Sequence, residues 1–230
     1  MNEGDDSPTR VAFLFDVDNT LLDNDRVAED LQSHLARDVG PEGAQEYWRI
    51  FEQLRTELGY ADYLGALQTY RDKHQRALHL VSLSNFLINY PFAERLFPDA
   101  LRVIEHIQQW GPAVILSDGD VVFQPLKISR SGLANAVAGR VLIYVHKEEE
   151  LDDVEQRYPA EHYVLVDDKL RILAAVKKIW GSRVTTVFVR QGHYASDSKI
   201  LATFPPADIK IGRIGDLLQY HLPELLNPKP

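Results

Sequence analysis

The sequence predicts an α/β protein in which a mostly parallel sheet is interrupted by an all-helical insert. Two observations lead there. Short β-branched and aromatic runs alternate with helical patterns over most of the chain, and one long stretch near the N-terminus shows helical patterns only. The runs are VAFLF (11–15), AVIL (113–116), VLIYV (141–145), YVLV (163–166), VTTVFV (184–189) and a weaker DIKI (208–211). They are nearly continuous in apolar character, as suits strands covered on both faces. The segment 98–111 reads as a helix that opens on Pro98 and stops at Gly111. The segment 168–181 sets Leu170, Leu173, Ala174 and Val176 at helical spacing, with Lys177 and Lys178 in its last turn and Gly181 beyond it. GRIGDLLQYHL (212–222) predicts a closing helix. Strands alternating with helices imply right-handed crossovers and a mostly parallel sheet.

The stretch that breaks the alternation runs from about Asn24 to Tyr90. Its clearest patterns are RVAEDLQSHLARDVG and PEGAQEYWRIFEQLRTELG, followed by YADYLGALQTYRDKH and a segment towards LSNFLINY. Roughly 65 residues are too many for a structureless loop in a compact domain, so they predict a helical insert of bundle type. The expected organisation is a tail over residues 1–9, a core made from 10–23 and 91–230, and a helical cap over 24–90.

Composition bounds the chemistry. The chain has 230 residues, 45% of them hydrophobic, which is ample for a packed core. It has no cysteine, which excludes disulfides, thiolate nucleophiles and Cys-ligated metal sites. Its formal charge is −9, and no Lys/Arg stripe reverses that locally, so no nucleic-acid partner is expected. No apolar run approaches the roughly 18–20 residues that span a bilayer. The acidic MNEGDDSPTR start lacks the pattern of a secretory signal. No membrane partner is expected, and the expected location is cytoplasmic; oligomeric state is not readable.

Parallel sheets bind ligands beyond the carboxyl ends of their strands. Here those ends read Asp16-Val17-Asp18-Asn19-Thr20, Ser117-Asp118-Gly119-Asp120, His146-Lys147 and Asp167-Asp168. Asp16 and Asp18, two apart on extended backbone, diverge, so one can face a substrate while the other serves as acid and base. Asp16 and Asp168 brought together would repel unless a hard cation lay between them, and Mg²⁺ suits an all-oxygen set that includes substrate phosphate. Ser117 and the backbone N–H groups after it, in a turn entering a helix, are expected to hold phosphate oxygens. Asp118 belongs to the same expected phosphate-binding group. A carboxylate nucleophile offers a route to an aspartyl-phosphate.

The set resembles the four motifs of the haloacid dehalogenase-like (HAD) superfamily, in that family's order. VAFLFDVDNTLLDN is similar to its first motif, Asp-x-Asp-x-Thr after a hydrophobic strand, and ILSD to its second at Ser117. Lys147 stands 30 residues later where the third is expected, and VLVDD, with Asp168 21 residues beyond, resembles the fourth. The resemblance implies a Rossmann-like core with a helical cap inserted after the first motif. It implies Asp16 as nucleophile and metal ligand, and Asp18 as acid, then base, with its carbonyl also on the metal. It further implies that Thr20 supports the turn, that Ser117 and Lys147 bind phosphoryl oxygens, and that Asp168 ligates the metal with Asp167 behind it. Asn19 stands where the family often has Gly, and Glu148-Glu149-Glu150 follows Lys147 in place of a Pro-rich sequence, so Lys127 is the reserve lysine.

An EF-hand reading of the first motif fails, because its sixth position is Leu21, its twelfth is Val27, and a strand rather than a helix precedes it. The histidines form no metal pair; His193 follows the fifth strand at the correct end of the sheet to approach the crevice. Arg55, Tyr60, Tyr63 and Arg71 are candidates to face a substrate from the insert. The expected function is a Mg²⁺-dependent phosphatase of a small phosphorylated metabolite. Behind it stand a sugar phosphomutase, a non-catalytic phospholigand binder and a metal-independent 2-haloacid dehalogenase, the last disfavoured by Asp18.

Overall fold

The computed structural model describes residues 9–74, 80–196 and 198–228. Six strands form one parallel sheet: β1 (Thr9–Phe15), β2 (Ala113–Asp118), β3 (Val141–Tyr144), β4 (Ala160–Asp167), β5 (Val184–Val189) and β6 (Ile209–Ile211), in the order β3-β2-β1-β4-β5-β6. This is the α/β, Rossmann-like core that the apolar runs predict. The sheet order reverses between β1 and β4, and such a reversal opens a crevice at the carboxyl ends of the two strands.

Each predicted strand is present, several of them longer than their apolar runs. β1 already includes Thr9, paired with Ala160, so the last residue of the expected tail belongs to the sheet; the rest of that tail lies outside the described residues. Both faces of β1 are buried, Val11, Phe13 and Phe15 in one apolar cluster and Ala12 and Leu14 in the other. That is why the runs show no in/out alternation.

Between β1 and β2 lie α1 (Asn24–Asp38), α2 (Gly40–Leu58), α3 (Tyr63–Lys73), α4 (Leu80–Asn89) and, after a short 3₁₀ turn at Phe92–Arg95, α5 (Ala100–Ile107). No strand falls among the described residues from 24 to 90. α1 packs on α2 and α4, and α3 closes the ring against the same two helices. Helix ends follow local chemistry. The Asp23 side chain accepts from the Arg26 N–H, Asp62 accepts from the Gly65 N–H at 2.7 Å, and α2 stops at Gly59, whose φ of 82° suits glycine. The bundle and one face of the sheet share a continuous apolar cluster, in which Phe123 bridges Tyr63 (5.2 Å) and Phe92 (5.7 Å).

The remaining helices are α6 (Phe123–Arg130), α7 (Leu133–Ala136), α8 (Leu151–Arg157), α9 (Leu170–Trp180), α10 (Ser198–Thr203) and α11 (Leu222–Leu226). Two expected boundaries move. The helix expected to open on Pro98 starts at Ala100, because Asp99 takes a left-handed φ of 67°. The single closing helix is instead a 3₁₀ turn at Ile214–Gln219 followed by α11, with Pro223 in its first turn. No helix among the described residues is long and apolar enough to cross a membrane.

Because Phe92 is fully buried where bundle and sheet meet, Phe92→Ala should destabilise the protein by about 3–5 kcal/mol in urea unfolding followed by circular dichroism.

Candidate active site

Asp16 is the first residue past β1 and is fixed by its N–H, which donates to the Val166 carbonyl of β4 at 3.0 Å. The chain then turns tightly, with the Thr20 and Leu21 N–H groups donating to the Val17 carbonyl and the Asn19 N–H to that of Leu22. Asn19 has φ 61°, a left-handed conformation that Asn tolerates well. It also does what Gly could not. Its Oδ1 accepts from the Asn24 and Asp25 N–H groups at 3.0 and 3.1 Å, and its amide donates to Asp25 at 2.9 Å, tying the turn to the start of α1. Thr20 is fully buried and supports the turn through its backbone, while its hydroxyl makes no hydrogen bond.

Lys147 is fully buried at the centre. Its ammonium donates to Asp16 Oδ1 (2.6 Å) and to the Leu116 carbonyl (3.2 Å), and pairs with Asp167 Oδ2 at 2.7 Å. Burial alone would lower this ammonium's pKa, but the charges of Asp16, Asp167 and Asp118 hold it well above its ordinary value. Lys127, the reserve candidate, goes elsewhere. It too is buried, and it donates to both oxygens of Asp18 (2.7 and 2.9 Å) and to Asn24 Oδ1 (2.9 Å). The carboxylates of Asp16 and Asp18 thus diverge to separate lysines.

Asp16, Asp167 and Asp168 are buried, and each brings a carboxylate oxygen within 4.8 Å of the others. Asp167 Oδ1 accepts from the Lys169 N–H at 2.7 Å. Asp16 Oδ2 and both oxygens of Asp168 are buried without a hydrogen-bond partner. Burial pushes the Asp168 carboxyl well above its ordinary pKa, with Asp167 and Asp16 adding to the rise. It also pushes Asp167 up to about 6, against the pull of Lys147. Orphaned buried carboxylate oxygens facing one another are a donor set that a hard cation satisfies.

Ser117 is buried in the crevice, and its hydroxyl accepts from Gln124 Nε2 at 2.9 Å. The turn expected after it leads into α6 at Phe123. The first N–H groups there, those of Val122 and Phe123, are taken by Asp120 at 2.9 and 2.7 Å, and the Gly119 N–H goes to the Tyr144 carbonyl. Three of the amides after Ser117 are therefore already engaged, two of them by the acidic side chain that caps this helix. The Asp118 carboxylate is an acceptor: its Oδ1 accepts from the Lys147 N–H at 2.9 Å and sets the backbone from which Lys147 reaches inward.

The loop after β5 carries residues that no sequence pattern reveals. Gln191 donates to the Thr20 carbonyl at 3.0 Å and accepts from the Ile214 N–H at 2.6 Å, clamping the first turn. Gly192 (φ 71°) lies so close that a Cβ there would stand 2.5 Å from that of Asn19. His193 reaches the crevice through Asp25, whose Oδ1 lies 2.6 Å from its Nδ1 and whose Oδ2 accepts its N–H at 2.7 Å. Burial would raise the Asp25 pKa, but the His193 and Asn19 hydrogen bonds bring it below the usual value. Pairwise closeness across some 170 residues leaves no trace in spacing, so only His193's position after a strand hints at this loop.

A cavity of about 670 Å³ opens between this floor and the insert. Arg55, Tyr60 and Tyr63 line it, in agreement with the sequence reading, together with Trp48 and Phe51; Arg71 is not among its walls. Buried carboxylates paired with lysine at the mouth of a parallel sheet, under an aromatic wall, define a hydrolase-type crevice.

Comparison with known proteins agrees. Residues 11–188 match the family pattern of the haloacid dehalogenase-like hydrolases, and the chain belongs to that family. It is similar to a haloacid dehalogenase-like hydrolase from Burkholderia xenovorans LB400, with 61% identity over 93% of this chain and 100% of the other, and a TM-score of 0.89. It shares its fold with the L-2-haloacid dehalogenase of Xanthobacter autotrophicus holding covalently bound chloropropionic acid (18% identity, 90% and 96% covered, TM-score 0.56). The same holds for the HAD-hydrolase YfnB of Bacillus subtilis bound to magnesium (20%, 93% and 98%, 0.58). No curated protein matches the sequence.

Two stability effects are expected. Asp168→Asn should raise the metal-free melting temperature by relieving the buried carboxylate cluster, and should remove the rise that Mg²⁺ gives the wild type, both read by differential scanning fluorimetry. Asp167 has a folded pKa of about 6, above its ordinary 3.8, so the folded state binds the extra proton. Its stabilising contribution is full below about pH 4 and is lost as pH rises through about 6, and Asp167→Asn should flatten that slope in metal-free protein.

Proposed function

We propose that the protein is a Mg²⁺-dependent phosphatase of a small phosphorylated metabolite, acting through an aspartyl-phosphate on Asp16. The observation that carries this is the unpartnered Oδ2 of Asp16, buried beside Lys147 and facing two unpartnered oxygens of Asp168. Asp16, Asp168 and the Asp18 carbonyl would hold Mg²⁺, which when bound would neutralise charge on the transferring phosphoryl group.

Asp16 attacks phosphorus while Lys147, on its other oxygen, keeps it ionised. Asp18 lines the cavity from the same turn, oriented by Lys127; after taking up a proton as substrate enters, it gives that proton to the departing ester oxygen. The resulting carboxylate then takes a proton from the water that attacks phosphorus, which restores Asp16 and releases phosphate. The helical insert, as a cap, would exclude bulk water above the cavity. Asp18 separates this reading from the dehalogenase reading, since displacement of chloride from carbon needs no proton donor.

Turnover of p-nitrophenyl phosphate and a metabolite panel, with and without Mg²⁺, tests the proposal. Metal-dependent phosphate release is expected, falling by about three orders of magnitude in Asp16→Asn. Unchanged activity in that variant contradicts the mechanism. Chloride release from 2-chloropropionate without metal would support the dehalogenase, and transfer to a sugar hydroxyl the mutase.

A further inference from the structure

An ammonium has three protons to donate. Lys147 donates to Asp16 and the Leu116 carbonyl and is ion-paired with Asp167, and Lys127 donates to the two oxygens of Asp18 and the side-chain carbonyl of Asn24. A transferring phosphoryl group spreads its charge over three peripheral oxygens that need donors. Both buried lysines are already engaged by carboxylates. Withdrawing either from its carboxylate would strand a desolvated charge.

A third lysine is differently placed. Lys169 follows Asp168 directly, and its N–H is anchored on Asp167 Oδ1 at 2.7 Å. Its side chain lines the cavity on the same floor as Asp18 and Asp118. Its ammonium lies 5.8 Å from the centre of the Tyr194 ring, a weak cation–π seat that leaves its protons undirected. Among the described residues that ammonium makes no hydrogen bond and no ion pair. Three unpartnered carboxylate oxygens lie close by, so an anion entering here needs this positive charge to offset them.

We infer that Lys169 is an anion-binding residue of the cavity, donating to the phosphoryl oxygens of the substrate, while Lys147 stays paired with Asp16. This rests on the phosphatase reading. The two lysines are placed differently: Lys147 is fully buried between carboxylates, whereas Lys169 rests on an aromatic face at the cavity and can swing to a ligand.

Calorimetric titration of the full chain with inorganic phosphate in the presence of Mg²⁺, for wild type, Lys169→Met and Lys169→Arg, decides the matter. Lys169→Met should weaken phosphate binding at least about tenfold, the loss expected for one charge-assisted contact, and Lys169→Arg should recover most of it. Mg²⁺ affinity measured without phosphate should not weaken in Lys169→Met, because a nearby positive charge has been removed. The melting temperature of each variant establishes that it is folded. Phosphate binding unchanged in Lys169→Met, or weakened only together with Mg²⁺ affinity, overturns the inference while leaving the phosphatase reading in place. A wild type that binds no phosphate and hydrolyses no phosphate ester overturns both.

Discussion

The Lys147 ammonium, with no solvent exposure, donates to Asp16 and the Leu116 carbonyl and is ion-paired with Asp167. A charge so buried is tolerable only when fully paired. The pairing fixes the relative positions of β1, β2, β4 and the segment after β3, since each supplies one member. Three carboxylates crowd around this one ammonium, and the cluster keeps a surplus of negative charge. That surplus explains the raised pKa directions of Asp167 and Asp168 and the fit of a divalent cation. The same pairing gives the two aspartates of the first turn different lives, Asp16 sealed on the floor and Asp18 at the cavity.

The turn that carries both is held from outside the sheet. Asn19 adopts its left-handed conformation while bonding the start of α1, and Gln191, Gly192 and His193 close over it from the loop after β5. The first helix of the insert therefore begins on a hydrogen-bonded extension of the turn that carries Asp16 and Asp18. Through Asn24, Lys127 and the ring of Tyr63, the insert reaches the group that orients Asp18. Packing of the bundle and placement of the acid are thus connected by direct contacts.

Much of this is legible in the amino-acid sequence. Unalternated runs such as VAFLF and VTTVFV mark strands buried on both faces. A parallel sheet gathers the residues at its carboxyl edge, so Asp16, Lys147 and Asp168 stand out by position alone. The expectations that fail do so for local reasons. The segment after Ser117 reads as a turn running into a helix, but Asp120 caps that helix and uses the amides expected to cradle phosphate. Asp118 groups with the phosphate ligands by position, although a carboxylate beside a lysine backbone N–H accepts rather than donates. Gln124 and Gln191 are invisible in sequence because a glutamine on a helix or loop has no spacing signature. Lys169 has no spacing signature either, and only the structure places it on the cavity.

The chemistry turns on where water attacks. In phosphoryl transfer through Asp16 the covalent bond is broken at phosphorus, so the oxygen of water leaves in phosphate and the Asp16 carboxylate keeps its own atoms. In ester hydrolysis of the dehalogenase kind, water attacks the carboxyl carbon and its oxygen enters Asp16. Multiple turnovers of a phosphate ester in water labelled with heavy oxygen, followed by mass spectrometry of the released phosphate and of the peptide bearing Asp16, separate the two. Label in phosphate with none in Asp16, together with a phosphoryl adduct on that peptide after acid quench, is the predicted result. Label accumulating in the Asp16 carboxylate, or a phosphoryl adduct on another residue, would contradict it.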